Sequence, residues 1–334
     1  MIVAQLSRAG GPFELVERPV PEPGPGQVLI KVEACGICHS DQIFKEGHWP
    51  GMKYPFVSGH EVAGRVEKIG AGIKLFKPGQ KVGVGWNGGY CSHCEPCREG
   101  ECPYCTTGAT TAVAFDGGFA EYMVAPETAV AAMPESLDPV EAGPLLCAGV
   151  TTYNALRTSG AKSGDLVAIQ GIGGLGHLAV QFASKSGYRT VAISRGKDKE
   201  AFAKELGAHH YIDDANGDAA KQLQKLGGAK VILATAPNAK AISGLAAGLK
   251  YKGKLVIVAA PQDNIEVSPL LLLMGSRSVA GHYSGYAKDS EDTLAFSALT
   301  GVRPKVEVYP LAQINEAYER MLSNKARFRV VLKM

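Results

Sequence analysis

The sequence predicts an α/β protein of two domains, one β-rich and barrel-like, the other a doubly wound parallel sheet. Three observations carry that expectation. Before residue 150, short β-rich runs (Val28–Val32, Glu61–Ile69, Lys81–Val84, Ala120–Val124) alternate with Gly and Pro, the texture of an all-β unit. From Asp165 onward, apolar runs at Leu166–Gln170, Thr190–Ser194, Val231–Ala234 and Lys254–Val258 alternate with helical patterns at Leu175–Ser186, Lys197–Leu206, Asp218–Leu226 and Ala239–Leu249. Such alternation implies parallel strands covered on both faces. The length of 334 residues suits two domains of roughly 150 residues each. The tail, from about Ser284, adds one helix at Gln313–Leu322 and a strand-like run at Arg327–Leu332.

Composition narrows the function classes. Hydrophobic residues are 46% and charged residues 20%, which excludes a disordered or fibrous chain. A net charge of +3 from evenly mixed Lys, Arg, Asp and Glu argues against nucleic acid or an anionic membrane as partner. The longest dense apolar stretch, Val267–Met274, is far short of the roughly 20 residues that span a bilayer. The N-terminus reads as a strand running into a Pro/Gly turn, without the basic and apolar regions of a signal peptide. The expected compartment is therefore the reducing cytoplasm, where the eight cysteines are metal ligands or catalytic thiols before they are disulfides.

The first βα turn of the second half contains Gly171, Gly173, Gly174, Leu175 and Gly176, a G-x-G-x-x-G directly after a buried strand and at the start of a helix. Its glycines permit a tight turn, let backbone approach a pyrophosphate and let helix and strand pack closely, while the helix N-terminus faces the phosphates. About 20 residues on, a carboxylate would accept the ribose 2′-hydroxyl and select NAD. Here Ser194 occupies that slot and Arg195 follows. The missing repulsion and the guanidinium favour NADP(H) over NAD(H). The competing reading of Arg195 is a solvated surface charge.

Cys91, Cys94, Cys97 and Cys105, spaced C-x2-C-x2-C-x7-C, suit a closed tetrahedral zinc site of structural type. Cys102 is an alternative fourth ligand. The remaining thiols are Cys35, Cys38 and Cys147; two of them with His60 would make a second site of three ligands and one open position, the catalytic arrangement. Spacing alone does not establish it, since each residue taken singly is a core thiol or a satisfied histidine.

At this point the sequence resembles the zinc-dependent medium-chain alcohol dehydrogenase family along essentially its whole length. The resemblance lies in the GHE-x-x-G-x5-G pattern of His60, Glu61, Gly64 and Gly70, the four-cysteine loop, the Leu-Leu-Cys147-Ala-Gly-Val-Thr151-Thr segment and the glycine turn. It implies a GroES-like β-rich catalytic domain, residues 1–147 and 284–334, and a Rossmann dinucleotide-binding domain, residues 148–283. It makes Cys38, His60 and Cys147 ligands of a catalytic zinc and leaves Cys35 as a buried neighbour. It places Glu61 behind the metal, Asp41 against the His60 ring and Ser40 as the hydroxyl that takes the alcohol proton. His39 and Arg329 match positions at the cofactor pyrophosphate, Lys199 the adenosine ribose and Thr151 the nicotinamide side. Trp49 and Trp86 resemble substrate-pocket aromatics, with ordinary core as the alternative. In several family members a histidine three residues beyond the relay hydroxyl passes the proton to solvent. Here that position is Ile43, which cannot titrate, and nothing in the sequence assigns the role to nearby His48.

The implied reaction is reversible hydride transfer between a primary aliphatic or benzylic alcohol and a nicotinamide cofactor, with zinc activating the alcohol oxygen and Ser40 removing its proton. A zinc-free enone or quinone reductase on the same scaffold is the first alternative, and a non-catalytic zinc- and cofactor-binding protein the second. The resemblance also implies a homo-oligomer, tetramer or dimer.

Overall fold

The computed structural model describes residues 1–323 and 325–334. In chain order the strands among them are β1 Ile2–Leu6, β2 Phe13–Glu17, β3 Gln27–Ile37, β4 Phe56–Val57, β5 Val62–Ile69, β6 Lys81–Val84, β7 Tyr122–Pro126, β8 Val130–Ala132, β9 Leu166–Gln170, β10 Arg189–Ser194, β11 His210–Asp213, β12 Ala229–Ala234, β13 Leu249–Ile257, β14 Ser278–Gly281, β15 Val306–Pro310 and β16 Arg329–Lys333. The chain divides into two compact bodies, Met1–Val150 with Gly285–Met334, and Thr151–Ser284.

The first body is built on β3. One edge of β3 pairs with β7 over Gln27–Lys31 and then with β16 over Ala34–Ile37, while the other pairs with β5. The full order is β15-β16-β3-β5-β6-β8, with a second small sheet β2-β1-β4. Register shifts between β3 and β5, at Leu29/Ile30 and Val32/Ala34, are the irregularities that bend a strand. Val28, Ile30, Val32, Val62, Val66, Val82, Val84, Phe119 and Val330 fill the core between these strands. Cys38 lies just beyond the C-terminal end of β3, and His60 just before β5, so the long central strand and its neighbour deliver both side chains to one rim.

In the second body every strand pair is parallel. The order is β11-β10-β9-β12-β13-β14. Counted from its first strand, that is the 3-2-1-4-5-6 order of a doubly wound dinucleotide fold, whose crevice opens beyond the C-terminal ends of the strands where the order reverses. Here the reversal falls between β9 and β12. The helices Gly176–Lys185, Glu200–Glu205, Ala219–Lys225, Ala239–Leu245 and Pro269–Gly275 connect successive strands.

The tail differs from its sequence reading. Besides the Ile314–Leu322 helix it holds a longer one, Ala287–Thr300. Its buried face is largely Asp289, Ser290, Thr293 and Ser297, so no apolar period marks it. The Thr293 hydroxyl donates to the Asp289 carbonyl at 2.7 Å, which satisfies a buried polar group locally. No helix among the described residues is long and apolar enough to cross a membrane.

Candidate active site

Cys38, His60, Glu61 and Cys147 each aim one ligand atom into a volume where all four atoms lie within 4.8 Å of one another. Cys147 reaches it from a π-helical turn, Leu145–Gly149, that follows Pro144 at the end of the Pro139–Pro144 helix. A widened turn of this kind re-aims a side chain and recurs at functional sites. The Cys38 and Cys147 sulphurs are 3.9 Å apart. Two thiolates on one tetrahedral zinc, each about 2.3 Å from it, stand about 3.8 Å apart. The His60 ring is fully buried, yet neither Nδ1 nor Nε2 has a hydrogen-bond partner. Two sulphurs at ligand spacing beside an unpartnered imidazole nitrogen fit zinc.

Electrostatics keep this centre poised. The Cys147 thiol, then His60 and Arg329, hold Cys38 well below the usual thiol range against the opposing effect of burial. The same contact with Cys38, and burial, push Cys147 up. Burial by itself would lower His60, but Asp41 and Cys38 outweigh it and push the ring up to about 10. Asp41 is fully buried. Its Oδ2 accepts from the Cys38 backbone at 2.8 Å and its Oδ1 from the Ser58 hydroxyl at 2.8 Å. Oδ1 also lies 3.4 Å from His60 Nδ1, an ionic contact without hydrogen-bond alignment. Cys35 stays outside the cluster, a buried thiol pushed up by burial and then by Asp41.

Glu61 pairs with Arg329, both side chains buried. Gly36 makes room for it, since a Cβ there would stand 1.9 Å from Glu61 Oε2. Arg329, expected at a pyrophosphate, is committed on one side to Glu61, while its buried Nε has no partner. Ser40 opens the Ser40–Lys45 helix, its hydroxyl 3.7 Å from the Cys38 sulphur. His39 at the helix N-cap and His48 beyond its end are exposed, and Ile43 is 40% exposed. Trp86 stands perpendicular to the His60 ring at 5.0 Å between centroids. Trp49 and Phe44 complete an aromatic wall, at 5.6 and 5.5 Å from Trp86. Sequence reasoning missed Phe44, a buried residue four positions past Ser40 with no motif to flag it. It missed Ser58 as well, two residues before His60.

The sulphurs of Cys91, Cys94, Cys97 and Cys105 form a second group, each within 4.8 Å of the others, and Cys102 is not among them. Cys94 and Cys105 are 3.8 Å apart, again the zinc–thiolate spacing. Backbone N–H groups of His93 and Cys94 lower the Cys91 thiol to about 5. Desolvation pushes Cys97 up to about 12.

In the second body, Gly171 follows β9 with φ +90° and its N–H donates to Ile193 at 2.9 Å. A Cβ on Gly176 would sit 1.7 Å from the Gly171 carbonyl oxygen, whereas one on Gly173 would meet nothing within 4 Å. Thr235, just past β12, donates its hydroxyl toward the Gln170 and Gly171 carbonyls at 2.8 and 3.0 Å. The first and third glycines are thus required by packing, and the second leaves open backbone, a cradle that fits a pyrophosphate. Gly174 and Leu175 complete the turn before the Gly176–Lys185 helix. Lys199 Nζ donates to the Ile172 carbonyl at 3.2 Å, and the Thr151 hydroxyl to Ser284 at 2.8 Å.

Residues 24–135 match the alcohol dehydrogenase GroES-like domain, and residues 174–298 the zinc-binding dehydrogenase family. The alcohol dehydrogenase notN of Aspergillus sp. (strain MF297-2) is 41% identical over 331 residues, 99% of this chain and 97% of the relative. The chain belongs to the zinc-dependent medium-chain alcohol dehydrogenases. Among solved members of this fold, a cinnamyl alcohol dehydrogenase from Sorghum bicolor superposes with a TM-score of 0.89 at 34% identity, covering 99% of this chain and 97% of that one. CAD from Helicobacter pylori, complexed with NADP(H), gives 0.87 at 29% identity, covering 100% and 97%. As an alcohol dehydrogenase family member the protein is an oxidoreductase acting on a small molecule.

Proposed function

We propose that the protein is a zinc-dependent alcohol dehydrogenase and aldehyde reductase, interconverting primary aliphatic or benzylic alcohols and their aldehydes, with NADP(H) favoured over NAD(H). The observation that carries the reading is the Cys38–His60–Cys147 cluster, with its two sulphurs at ligand spacing and its unpartnered buried imidazole beside an aromatic wall. That ligand set argues against a zinc-free enone reductase. The bound zinc supplies Lewis-acid polarisation of the substrate oxygen, and the bound nicotinamide supplies or accepts the hydride. Ser40 takes the alcohol proton in oxidation and returns it in reduction. Asp41 fixes the orientation of the His60 ring, as carboxylates behind metal-ligating histidines do. Arg329 neutralises Glu61, so that no second free carboxylate faces the two thiols. Ile43 offers no titratable step after Ser40, so the proton passes beyond the Ser40 hydroxyl without that position. Phe44, Trp49 and Trp86 present an apolar surface suited to an alkyl or phenyl group. The four-cysteine loop holds a second, structural zinc.

Ser194 in place of a carboxylate, followed by Arg195, supports NADP(H), and the NADP(H)-bound Helicobacter pylori relative points the same way. Six of the eight cysteines stand in the two candidate ligand groups, a usage in keeping with a reducing compartment such as the cytoplasm. Initial rates of benzaldehyde reduction with NADPH and NADH at matched concentrations test the reading. The expected result is turnover with both and at least about tenfold higher kcat/KM with NADPH, the size of one charge-assisted phosphate contact. Equal rates would remove the cofactor preference, and no turnover of any primary alcohol or aldehyde would remove the enzyme.

Metal uptake should depend on pH in a stated direction. With His60 pushed up to about 10 in the metal-free chain, the ring carries a proton at pH 7 that a metal must displace. Zinc affinity at this site is therefore expected to rise with pH until His60 is neutral and the raised Cys147 thiol has ionised, and to fall as pH drops. Calorimetric titration of metal-free protein in two buffers of different ionisation enthalpy should register proton release. A heat identical in both buffers would contradict it.

A further inference from the structure

The turn after β10, Ser194-Arg195-Gly196-Lys197-Asp198-Lys199, is where a doubly wound fold meets the adenosine ribose. Arg195 and Lys197 are exposed, and long exposed side chains impose no conformation on the backbone that carries them. What shapes this turn comes instead from the neighbouring edge strand, β11, which pairs with β10 in parallel and ends with Asp213 opposite Ser194. Asp213 Oδ1 accepts from the Gly196 N–H at 2.7 Å and from the Ala215 N–H at 3.0 Å. The Tyr211 hydroxyl donates to the Gly196 carbonyl at 2.6 Å. Both backbone polar groups of Gly196, the one left-handed residue of the turn at φ +77°, are thus held from β11. Lys199 ties the far end of the same turn to the glycine loop through Ile172.

We propose that Tyr211 and Asp213 are positioning residues for the adenosine end of the cofactor, locking the 194–199 turn so that Ser194 and Arg195 face the ribose 2′ position. The inference rests on the cofactor reading above and names a part of the chain that sets its selectivity. Two features make the pair suited to this. Asp213 spends one carboxylate oxygen on two backbone donors, which draws its negative charge toward the turn backbone. Tyr211 holds the carbonyl of Gly196 while Asp213 holds its N–H, so the backbone next to Arg195 is fixed from β11 through both of its polar groups. A preorganised loop binds more tightly because less ordering is left to the binding step.

The test is direct binding of NADPH and NADH, by protein-fluorescence quenching, to the wild type and to Asp213→Ala, Asp213→Asn and Tyr211→Phe, with 2′,5′-ADP and 5′-AMP as adenosine-end probes and thermal melting as the control for folding. In Asp213→Ala the affinity for NADPH and 2′,5′-ADP is expected to fall about tenfold, the effect of losing a hydrogen bond to a charged group, with 5′-AMP changed less. Asp213→Asn, which keeps the acceptor oxygen, should restore most of it, and Tyr211→Phe should lie between. Unchanged dinucleotide affinities in a folded Asp213→Ala protein would overturn the proposal, as would an equal loss in Asp213→Asn. A wild type that prefers NADH would sink the NADP reading while leaving the positioning claim to the variants. The claim would then require loss of NADH and 5′-AMP affinity in Asp213→Ala and its recovery in Asp213→Asn.

Discussion

Replacing Cys147 with serine is expected to leave one zinc per chain instead of two and to lower kcat/KM for benzaldehyde at least about a thousandfold, because polarisation of the substrate oxygen is worth several kcal/mol. Cys147 is the proposed ligand to test because its removal disturbs least else. Its sulphur faces Cys38 at 3.9 Å, but its backbone takes no part in holding Asp41, whereas the Cys38 N–H donates to that carboxylate. Serine keeps the volume and loses the soft thiolate that prefers zinc. Cys35→Ser provides the contrast. Cys35 is fully buried and close to Ser40 in sequence, yet it lies outside the group of converging ligand atoms, so both zincs and most of the activity should survive. Plasma mass spectrometry on both variants, beside their rates, checks the prediction. Two zincs in Cys147→Ser, or one in Cys35→Ser, would reverse the assignment.

That contrast also marks where sequence reading reached and where it stopped. The alternation of apolar strands and helices from Asp165 onward was legible because parallel strands covered on both faces are apolar throughout, and β9, β10, β12 and β13 fall on the expected runs. The four-cysteine loop was legible because the four sulphurs that cluster are local in sequence. The Cys38, His60 and Cys147 set was not, except through family resemblance: β3, the start of β5 and a π-helical turn bring it together, and no spacing rule spans them. The Ala287–Thr300 helix escaped because polar side chains form most of its buried face. Phe44 escaped because one aromatic in a six-residue helix carries no periodicity. Tyr211 and Asp213 lie in a four-residue edge strand that reads as loop, and their role appears only when β11 is set beside β10.

The two outer contacts of the glycine turn separate packing from binding, which gives the other large expected effect. Gly176→Ala would place a Cβ 1.7 Å from the Gly171 carbonyl oxygen and 3.0 Å from the Thr235 hydroxyl. Neither neighbour can yield cheaply. The Gly171 N–H is tied to Ile193, and Thr235 is held by the Gln170 carbonyl through both its N–H and its hydroxyl. Backbone must therefore move, and the helix must lift from β9. The cost is about 3 kcal/mol or more, a fall of roughly 10 °C in the melting of this body, with dinucleotide affinity lost alongside. Gly173→Ala should behave differently. Its Cβ meets nothing within 4 Å, so the melting temperature should barely change. The added methyl would instead occupy the space a pyrophosphate needs, and NADPH affinity should fall about tenfold or more with the fold intact. Calorimetric melting and fluorescence titration on the pair read the two effects independently. If Gly173→Ala bound NADPH as tightly as the wild type, the open backbone beside Gly173 would not be the phosphate cradle, and the adenosine turn at 194–199 would have to orient the cofactor without it.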